Sequence, residues 1–380
     1  MSNATLRIRP VRDDRMMKLF IEIPFRIYAK VDHWVSQPRM AVRDLLNRNK
    51  HPFHEHAQVE YFLAFRDREC VGRIAAIENF AHNQFHGEKI GFFGFLDAQA
   101  DAEIFRALLA EAEAWCRARG LTAMRGPCSF STNEECGALV MGFDALPTVM
   151  MPWNPESYPR HIEAAGYAKA KDLYSWWVDE DNYDERLHRI ADRVREKISG
   201  RDKKVSVVSR AVNMGRFAAE LELVRKVYNS AWEKNWGFVP MTRAEIDFMA
   251  KELKPLLLPE LLRFIEVDGE PVAFALTLPD YNMILRHLKG RLGPAEIALF
   301  LLLRKRIHTI RMLTMGVVKE FRGRGLESIL ISDTVRECRR IGFAAADMGW
   351  ILEDNVLMNR TLQSLGGRHY KTHRIYEKAL

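Results

Sequence analysis

The sequence predicts an α/β protein made of two fused copies of one unit, each a mixed sheet flanked by helices. Three observations predict it. The chain has 380 residues, beyond the roughly 100–200 of a usual domain. A strand–helix–strand pattern recurs at an offset near 222 residues, and a hairpin pattern precedes it in both halves.

The elements follow in chain order. VEYFLAF (59–65) and VGRIAAI (71–77) flank RDREC and read as a hairpin, with GFFGF (91–95) as the next strand. Ile104, Leu108, Leu109, Ala112 and Trp115 recur at helical spacing within 102–119. A basic last turn and Gly120 close that helix, as a left-handed C′ residue does. A strand follows, then a short helix over 159–165 ending at Gly166.

The second half repeats the order. LLRFIEV (261–267) and PVAFALTL (271–278) flank DGE, and TMGVV (314–318) falls against GFFGF. The helix over 326–341 carries Leu326, Ile329, Leu330 and Val335 on one face, and CRRIGF at its end lies on CRARGL of the first copy. A strand and a short helix over 356–365 follow, with Asn355 on Asn154 and Gly367 on Gly166. The first copy therefore carries extra residues between Pro127 and Pro152. The expected domains are 1–179 with an acceptor-site insertion at 128–151, a charged connecting helix at 180–204, and 205–380.

Apolar residues at 48% and charged residues at 28% are the balance of a globular protein. MSNATLRIRPVRDDR lacks an apolar signal region, and no run reaches the ~20 apolar residues of a membrane span, so a cytoplasmic protein is expected. Cys70, Cys116, Cys128, Cys136 and Cys338 are odd in number and lack a C-x-x-C pair, and so read as reduced thiols. The net charge of +7 suits an anionic partner such as a phosphate-bearing cofactor or an acidic membrane surface. Nucleic acid is disfavoured, since acids intersperse the basic residues and no aromatic–basic RNA-binding string is present.

The chemistry-bearing motif is VVKEFRGRGLESIL. Arg322-Gly323-Arg324-Gly325-Leu326 joins an apolar strand to an amphipathic helix, where glycines let successive amides converge and the helix N-terminus adds positive potential. A pyrophosphate fits such a loop. The string V-x-x-x-[FY]-R-G-x-G-[IL] between strand and helix resembles the acyl-CoA-binding motif of the GNAT acyltransferase superfamily. HPFHEHAQVEYFLA, IGFFGF, RGPCSFSTNEECGALVMGFD, MMPWNPESYP and MGWILEDNVLMNRTLQSLGG resemble, more narrowly, the bacterial ceramide synthase-like group of tandem GNAT proteins.

The resemblance implies two tandem acyl-CoA N-acyltransferase-type domains, each a mostly antiparallel, splayed sheet. It implies that the amides of 323–328 hold the pyrophosphate of acyl-CoA or the phosphopantetheine of an acyl carrier protein, with Val317 and Val318 along the pantetheine arm. Asn355 and Asn359 complete the assigned cofactor residues. Glu327 stands where the superfamily usually has Gly or Ala, and Leu362 where many members have a Tyr that protonates the thiolate. The first copy has Ala100-Asp101-Ala102-Glu103 in place of the glycine loop, so only the second is expected to bind the thioester.

Amide formation from a thioester needs a base for the ammonium and a proton for the thiolate. Glu353, Asp354 and Asn355 follow the strand DMGWIL and are the expected catalytic group, although Asp354 or Asn355 also suits a helix cap. Tyr370 and Tyr376 are stand-ins for the missing acid, with Tyr376 ranked first, and Glu134 and Glu135 are reserve bases. The acceptor side is assigned to Ser131, Asn133, Glu134, Trp153 and Asn154 in or beside the insertion. HPFHEH has no second cluster, so no metal is expected.

LGPAEIALFLLLRKRIHTI (292–310) is too short and too soon charged to span a bilayer, and it reads as an interfacial helix or one buried between domains. The resemblance to the ceramide synthase-like group implies N-acylation of a long-chain amine, a sphingoid base giving ceramide. The rival readings are a small-amine N-acetyltransferase, a tRNA-dependent aminoacyl transferase and a non-catalytic binding protein.

Overall fold

The computed structural model describes residues 5–200, 204–233 and 235–380, so 201–203 of the 180–204 connector lie outside the described residues. The chain divides into two units. Unit 1 holds the residues up to Leu173, Ile284–Phe300 and Lys371–Leu380; unit 2 holds Tyr174–Met283 and Leu301–Tyr370.

Unit 1 runs β1 (Leu6–Pro10), α1 (Asp14–Ile27), α2 (Arg39–Leu46), β2 (Ala57–Arg66), β3 (Glu69–Asn79), α3 (Phe80–His86), β4 (Ile90–Ala98), α4 (Ala102–Ala118), β5 (Ala123–Gly126), β6 (Ala138–Met141), α5 (Ser157–Ala164) and the first half of β7 (Ala168–Asp179). Strands β1 to β4 pair antiparallel in sequence order, and β4 pairs β5 in parallel. One face carries Phe62, Ala64, Ile74, Ala76 and Phe93 against Ile104, Phe105, Leu108 and Leu109 of α4. Each fully buried Leu or Phe of this kind contributes about 1.5–3 kcal/mol, which is why the 3.6-residue stripe of α4 finds the sheet.

Unit 2 continues with α6 (Arg186–Ser199), β8 (Val207–Ala211), α7 (Phe217–Trp232), α8 (Arg243–Leu253), β9 (Leu262–Val267), β10 (Glu270–Pro279), α9 (Asn282–Leu288), α10 (Pro294–Leu303), β11 (Thr309–Val317), α11 (Leu326–Arg340), β12 (Ala345–Leu352), α12 (Val356–Ser364) and β13 (Arg368–Ala379). Of these, most of α9 and α10 and all but the first three residues of β13 count with unit 1. There β13 pairs antiparallel with β5 and with β6. Strands β8 to β11 pair antiparallel, and β11 pairs β12 in parallel. Helix α11 covers one face, with Leu326, Ile329 and Leu330 against Val272, Ala273, Met312 and Met348; Leu187 and Ala191 of α6 join this cluster. Helix α7 covers the other face, with Val227 against Phe264 and Phe274.

Both predicted hairpins form, and the second turns on Asp268-Gly269 with φ of 52° and 82°, the left-handed pair a two-residue loop needs. Gly120 and Gly342 close their helices at φ 74° and 96°. The left-handed glycine after α12 is Gly366 rather than Gly367, with Gly166 as its counterpart after α5. The strand alignment also shifts. Ile90 lies opposite Ala123 and Thr309 opposite Ala345, so GFFGF matches the front of β11 and not TMGVV. Apolar strands repeat too regularly for their register to be read without a partner.

Besides α6 in the expected connector, four helices among the described residues precede the hairpins, α1 and α2 in the first half and α7 and α8 in the second, and the sequence pattern above did not predict them. The signals were present: Asp13 caps α1 by accepting from the Met16 amide, and Thr242 with Glu245 forms a capping box on α8.

Candidate functional site

The glycine loop sits between β11 and α11. Gly323 has φ 72° and open space where a Cβ would stand, and Gly325, at φ 86°, is the N-cap of α11. Among the described residues the amides of Gly323 to Glu327 have no acceptor, and they lie at the positive end of α11. Arg322 is committed elsewhere: its Nη2 donates to the carbonyls of Ser230 and Ala231 at 2.7 and 2.8 Å, tying the loop to the end of α7. Arg324 is exposed, with its guanidinium 4.7 Å from the Phe321 ring. Ser328 steadies the turn by donating to Gly325 O at 2.6 Å.

Strands β11 and β12 pair only over Thr309–Met312 and Ala345–Met348. Leu313 is the extra residue of a bulge opposite Leu276 and Thr277, and from there the two strands have no further pairing among the described residues. The opening leaves the β12-facing edge of residues 313–317 without a strand partner. The β10-facing side remains bonded, and the Val318 amide donates to Val272 O at 2.9 Å.

A buried polar cluster lies where the strands part. Ala346 and Met348 face α11, so strand alternation turns Asp347 to the opposite face, where it is fully buried. Arg311, also buried, donates through Nε to Gly349 O at 3.2 Å. Ser175 lies against Gly349 from the same side: a Cβ on that glycine would stand 2.3 Å from Ser175 Oγ and 2.9 Å from Asp347 Oδ1. The hydroxyls of Ser175 and Thr314 are buried without a partner among the described residues. The Tyr370 phenol is held well above its ordinary pKa by burial, then by the facing Asp347 carboxylate and by Asp280, so it stays protonated.

Unit 1 has the same divergence of β4 and β5, and it is filled. Cys128 N–H donates to Phe93 O at 2.7 Å, the Phe95 amide donates to Ser129 Oγ at 3.3 Å, and Phe130 is fully buried, stacked on Phe53 at 4.8 Å. The fit is tight enough that a Cβ on Gly94 would lie 1.9 Å from Cys128 O. His51, His54 and His56 ring Phe53 and Phe130, and burial pushes His54 down to about 4. At the start of α4, Asp101 and Glu103 are paired with Arg66 at 2.8 and 2.6 Å, and Asp101 is the N-cap.

The other expected site residues are distributed as follows. Val317 is buried at the end of β11, and Leu326 is buried in the α11 core. Asn355 caps α12 by accepting from the Met358 amide, as the structural alternative anticipated. Glu353 and Asp354 lie in the turn before it, and Asn359 accepts from the Trp176 indole at 2.9 Å while donating to Leu352 O. Leu362 is fully buried in the unit 2 core. Tyr376 lies in the unit 1 core and donates to Glu163 at 3.0 Å.

The insertion is ordered rather than a plain surface loop. It holds β6; Glu134 accepts from the amide and hydroxyl of Ser131, the Asn133 amide donates to Ser131 Oγ, and Glu135 accepts from Gln37. Asn154 is buried and spends its amide on Leu139 and Pro155, while Trp153 packs on Tyr28. Asp347 and Arg311 were missed by sequence reasoning, although a lone acid in the apolar run AAADMGWIL was a usable signal.

No family model matches the chain. A bacterial ceramide synthase of Caulobacter vibrioides (strain NA1000 / CB15N) is 38% identical over 386 residues, spanning 100% of this chain and 99% of that protein. Protein YghO of Escherichia coli (strain K12) is 34% identical over 381 residues, spanning 98% and 95%. Among solved structures, a tandem GNAT protein from the clavulanic acid biosynthesis pathway matches with a TM-score of 0.55 at 15% identity, covering 99% of this chain and 98% of that one. A GCN5-related N-acetyltransferase from Sphaerobacter thermophilus matches at 0.52 and 12% identity, covering 98% and 95%. At these identities the two structures bear on the fold alone.

Proposed function

The chain belongs to the bacterial ceramide synthase family of tandem GNAT acyltransferases, and we propose that it moves a long-chain acyl group from a thioester to the amine of a sphingoid-type base, giving a ceramide. The observation that carries this reading is the full-length likeness to bacterial ceramide synthase. The open loop and parted strands of unit 2 support it chemically.

In this reading the thioester is acyl-CoA or an acyl carrier protein. Its phosphates lie across the amides of Gly323 to Glu327, with Arg324 beside them. The extended pantetheine arm runs beyond Met312 and bonds to the unpaired edge of β11 as an added strand would. The thioester carbonyl then lies near the bulge, where a backbone N–H or the Thr314 hydroxyl stabilises the developing oxyanion. Asp347, reached through water, takes the ammonium proton; the nitrogen lone pair attacks the carbonyl carbon, the C–N bond forms as the C–S bond breaks, and the second nitrogen proton passes through water to restore the Tyr370 hydroxyl once it has protonated the sulfur. Tyr370, kept protonated, donates to the leaving sulfur.

A lipid acceptor also accounts for α10. None of its residues is buried, Leu301 and Leu302 are 51% and 70% exposed, and Arg304, Lys305 and Arg306 follow directly. No helix among the described residues is long and apolar enough to cross a membrane. An apolar helix with a basic end suits the surface of an anionic bilayer, where the leucines enter the acyl boundary and the cations meet phosphates.

The test is a thiol-release assay with amines of increasing chain length, the amide product identified by mass. Activity is expected to rise with length, since each buried methylene contributes about 0.8 kcal/mol. Equal turnover of a short polyamine and a long-chain base overturns the lipid reading. Asp347→Asn is expected to lower kcat by about 10²–10⁴-fold with thioester affinity unchanged. An equal loss in Glu353→Gln or Asp354→Asn, with Asp347→Asn active, moves the base to the end of β12. Leu301→Ser with Leu302→Ser should reduce turnover of vesicle-borne amine more than that of a soluble short amine.

A further inference from the structure

We propose that unit 1 holds a second ligand site, separate from acyl transfer, for a small amphipathic anion: a carboxylate or phosphate monoester on an apolar body. The site is a cavity of about 780 Å³ bounded by α1, α2 and β2, within the roughly 300–1,000 Å³ typical of small-molecule sites. Its floor is apolar and closed by Tyr61, Ile21 and Leu46, which are 2%, 4% and 3% exposed.

The Tyr61 hydroxyl is the second observation. It is buried and has no hydrogen-bond partner among the described residues, whereas buried hydroxyls are almost always bonded. Burial raises its pKa, so it is a proton-bearing donor that lacks an acceptor. The rim supplies the matching charge. Arg12, Lys18, Arg43 and Arg48 line the cavity with Asp13 and Asp14. Glu60 pairs with Arg12 at 2.8 Å, Asp13 is the N-cap of α1 and Asp14 opens its first turn, so both carboxylates gather at the start of α1 and Lys18, Arg43 and Arg48 carry the positive charge of the rim. Arg48 donates only to a neutral carbonyl, Val59 O, at 2.6 Å, and Lys18 and Arg43 have no ion pair among the described residues. An anionic head among these cations, accepting from Tyr61, would leave its apolar body on Ile21, Leu46 and Met17.

Isothermal titration of the full chain with decanoate, decyl phosphate and inorganic phosphate tests the site. One amphiphile is expected to bind saturably at one per chain and more tightly than phosphate; which one binds tighter identifies the natural head group as carboxylate or phosphate. Lys18→Glu with Arg43→Glu should weaken binding at least about ten-fold, and Tyr61→Phe about three-fold, the scale of losing one charge-assisted bond and one neutral bond. Gly323→Asp, which alters the thioester loop, should leave it unchanged. Because Tyr61→Phe removes an unpartnered hydroxyl, the ligand-free variant should melt at or above the wild-type temperature. Absence of saturable binding, undiminished binding in the charge-reversed variant, or loss in Gly323→Asp overturns the proposal. So does a melt several degrees lower in Tyr61→Phe, which would give the hydroxyl a structural partner.

Discussion

Units 1 and 2 part the same pair of strands, and only unit 1 closes the gap. In unit 1 the chain lays Cys128, Ser129 and Phe130 against the freed edge of β4, bonding Phe93 O and the Phe95 amide itself. In unit 2 the corresponding edge of β11 has no strand partner among the described residues beyond the bulge at Leu313, and the loop at its end carries amides without acceptors instead of the Asp101–Arg66–Glu103 network. A strand gap left open and a gap sealed by the chain itself are one feature of this fold. Which one results depends on whether the polypeptide supplies its own strand-edge partner.

The largest effect is expected at the unit 2 loop. Gly323→Asp should lower thioester affinity by about 100-fold by calorimetry, because a carboxylate beside a phosphate costs several kcal/mol. Both glycines are left-handed, so either substitution strains the backbone, but a Cβ at Gly323 meets nothing, whereas one at Gly325 lies 2.9 Å from Val194 of α6 and would disturb packing as well. Unchanged affinity would remove the thioester from this loop.

The unit 1 plug should matter for stability and not for binding. Phe130→Ala empties a fully buried site and is expected to cost about 3–5 kcal/mol in denaturant unfolding. Wild-type stability would mean that the seam is not closed by Phe130.

Acid separates the units more gently. His54 and His82, both in unit 1, are pushed down to about 4, chiefly by burial. Their folded values lie below the unfolded value near 6.5, so the unfolded chain binds more protons between the two. Stability is full above about pH 6.5 and falls as pH drops toward 4, by up to about 3 kcal/mol for the buried His82 and less for the partly exposed His54. Unfolding curves at pH 7 and 4.5, repeated with His54→Gln and His82→Gln, measure it; a slope indifferent to both substitutions would assign the acid sensitivity elsewhere. The smallest effect is expected at the degenerate loop. Ala102→Asp adds an exposed acid at the start of α4 and should leave thioester affinity within about two-fold. A loss comparable with Gly323→Asp would mean that both units bind.

The features legible in the residues alone were local and periodic. The hairpins, the stripes of α4 and α11, the left-handed Gly120 and Gly342 and the loop Arg322–Leu326 all depend on residues within a turn or two of one another, and the two copies show as the same local patterns repeated. Tertiary structure decided the rest. Phe130, in a stretch that reads as polar loop, became core because the gap beyond β4 and β5 was there to be filled. Arg311, Asp347, Tyr370 and Ser175 form one cluster only because strand pairing, a bulge at Leu313 and face alternation bring four distant positions to the same point. Pairing register and burial are properties of partners far along the chain, and no window of sequence contains both partners at once.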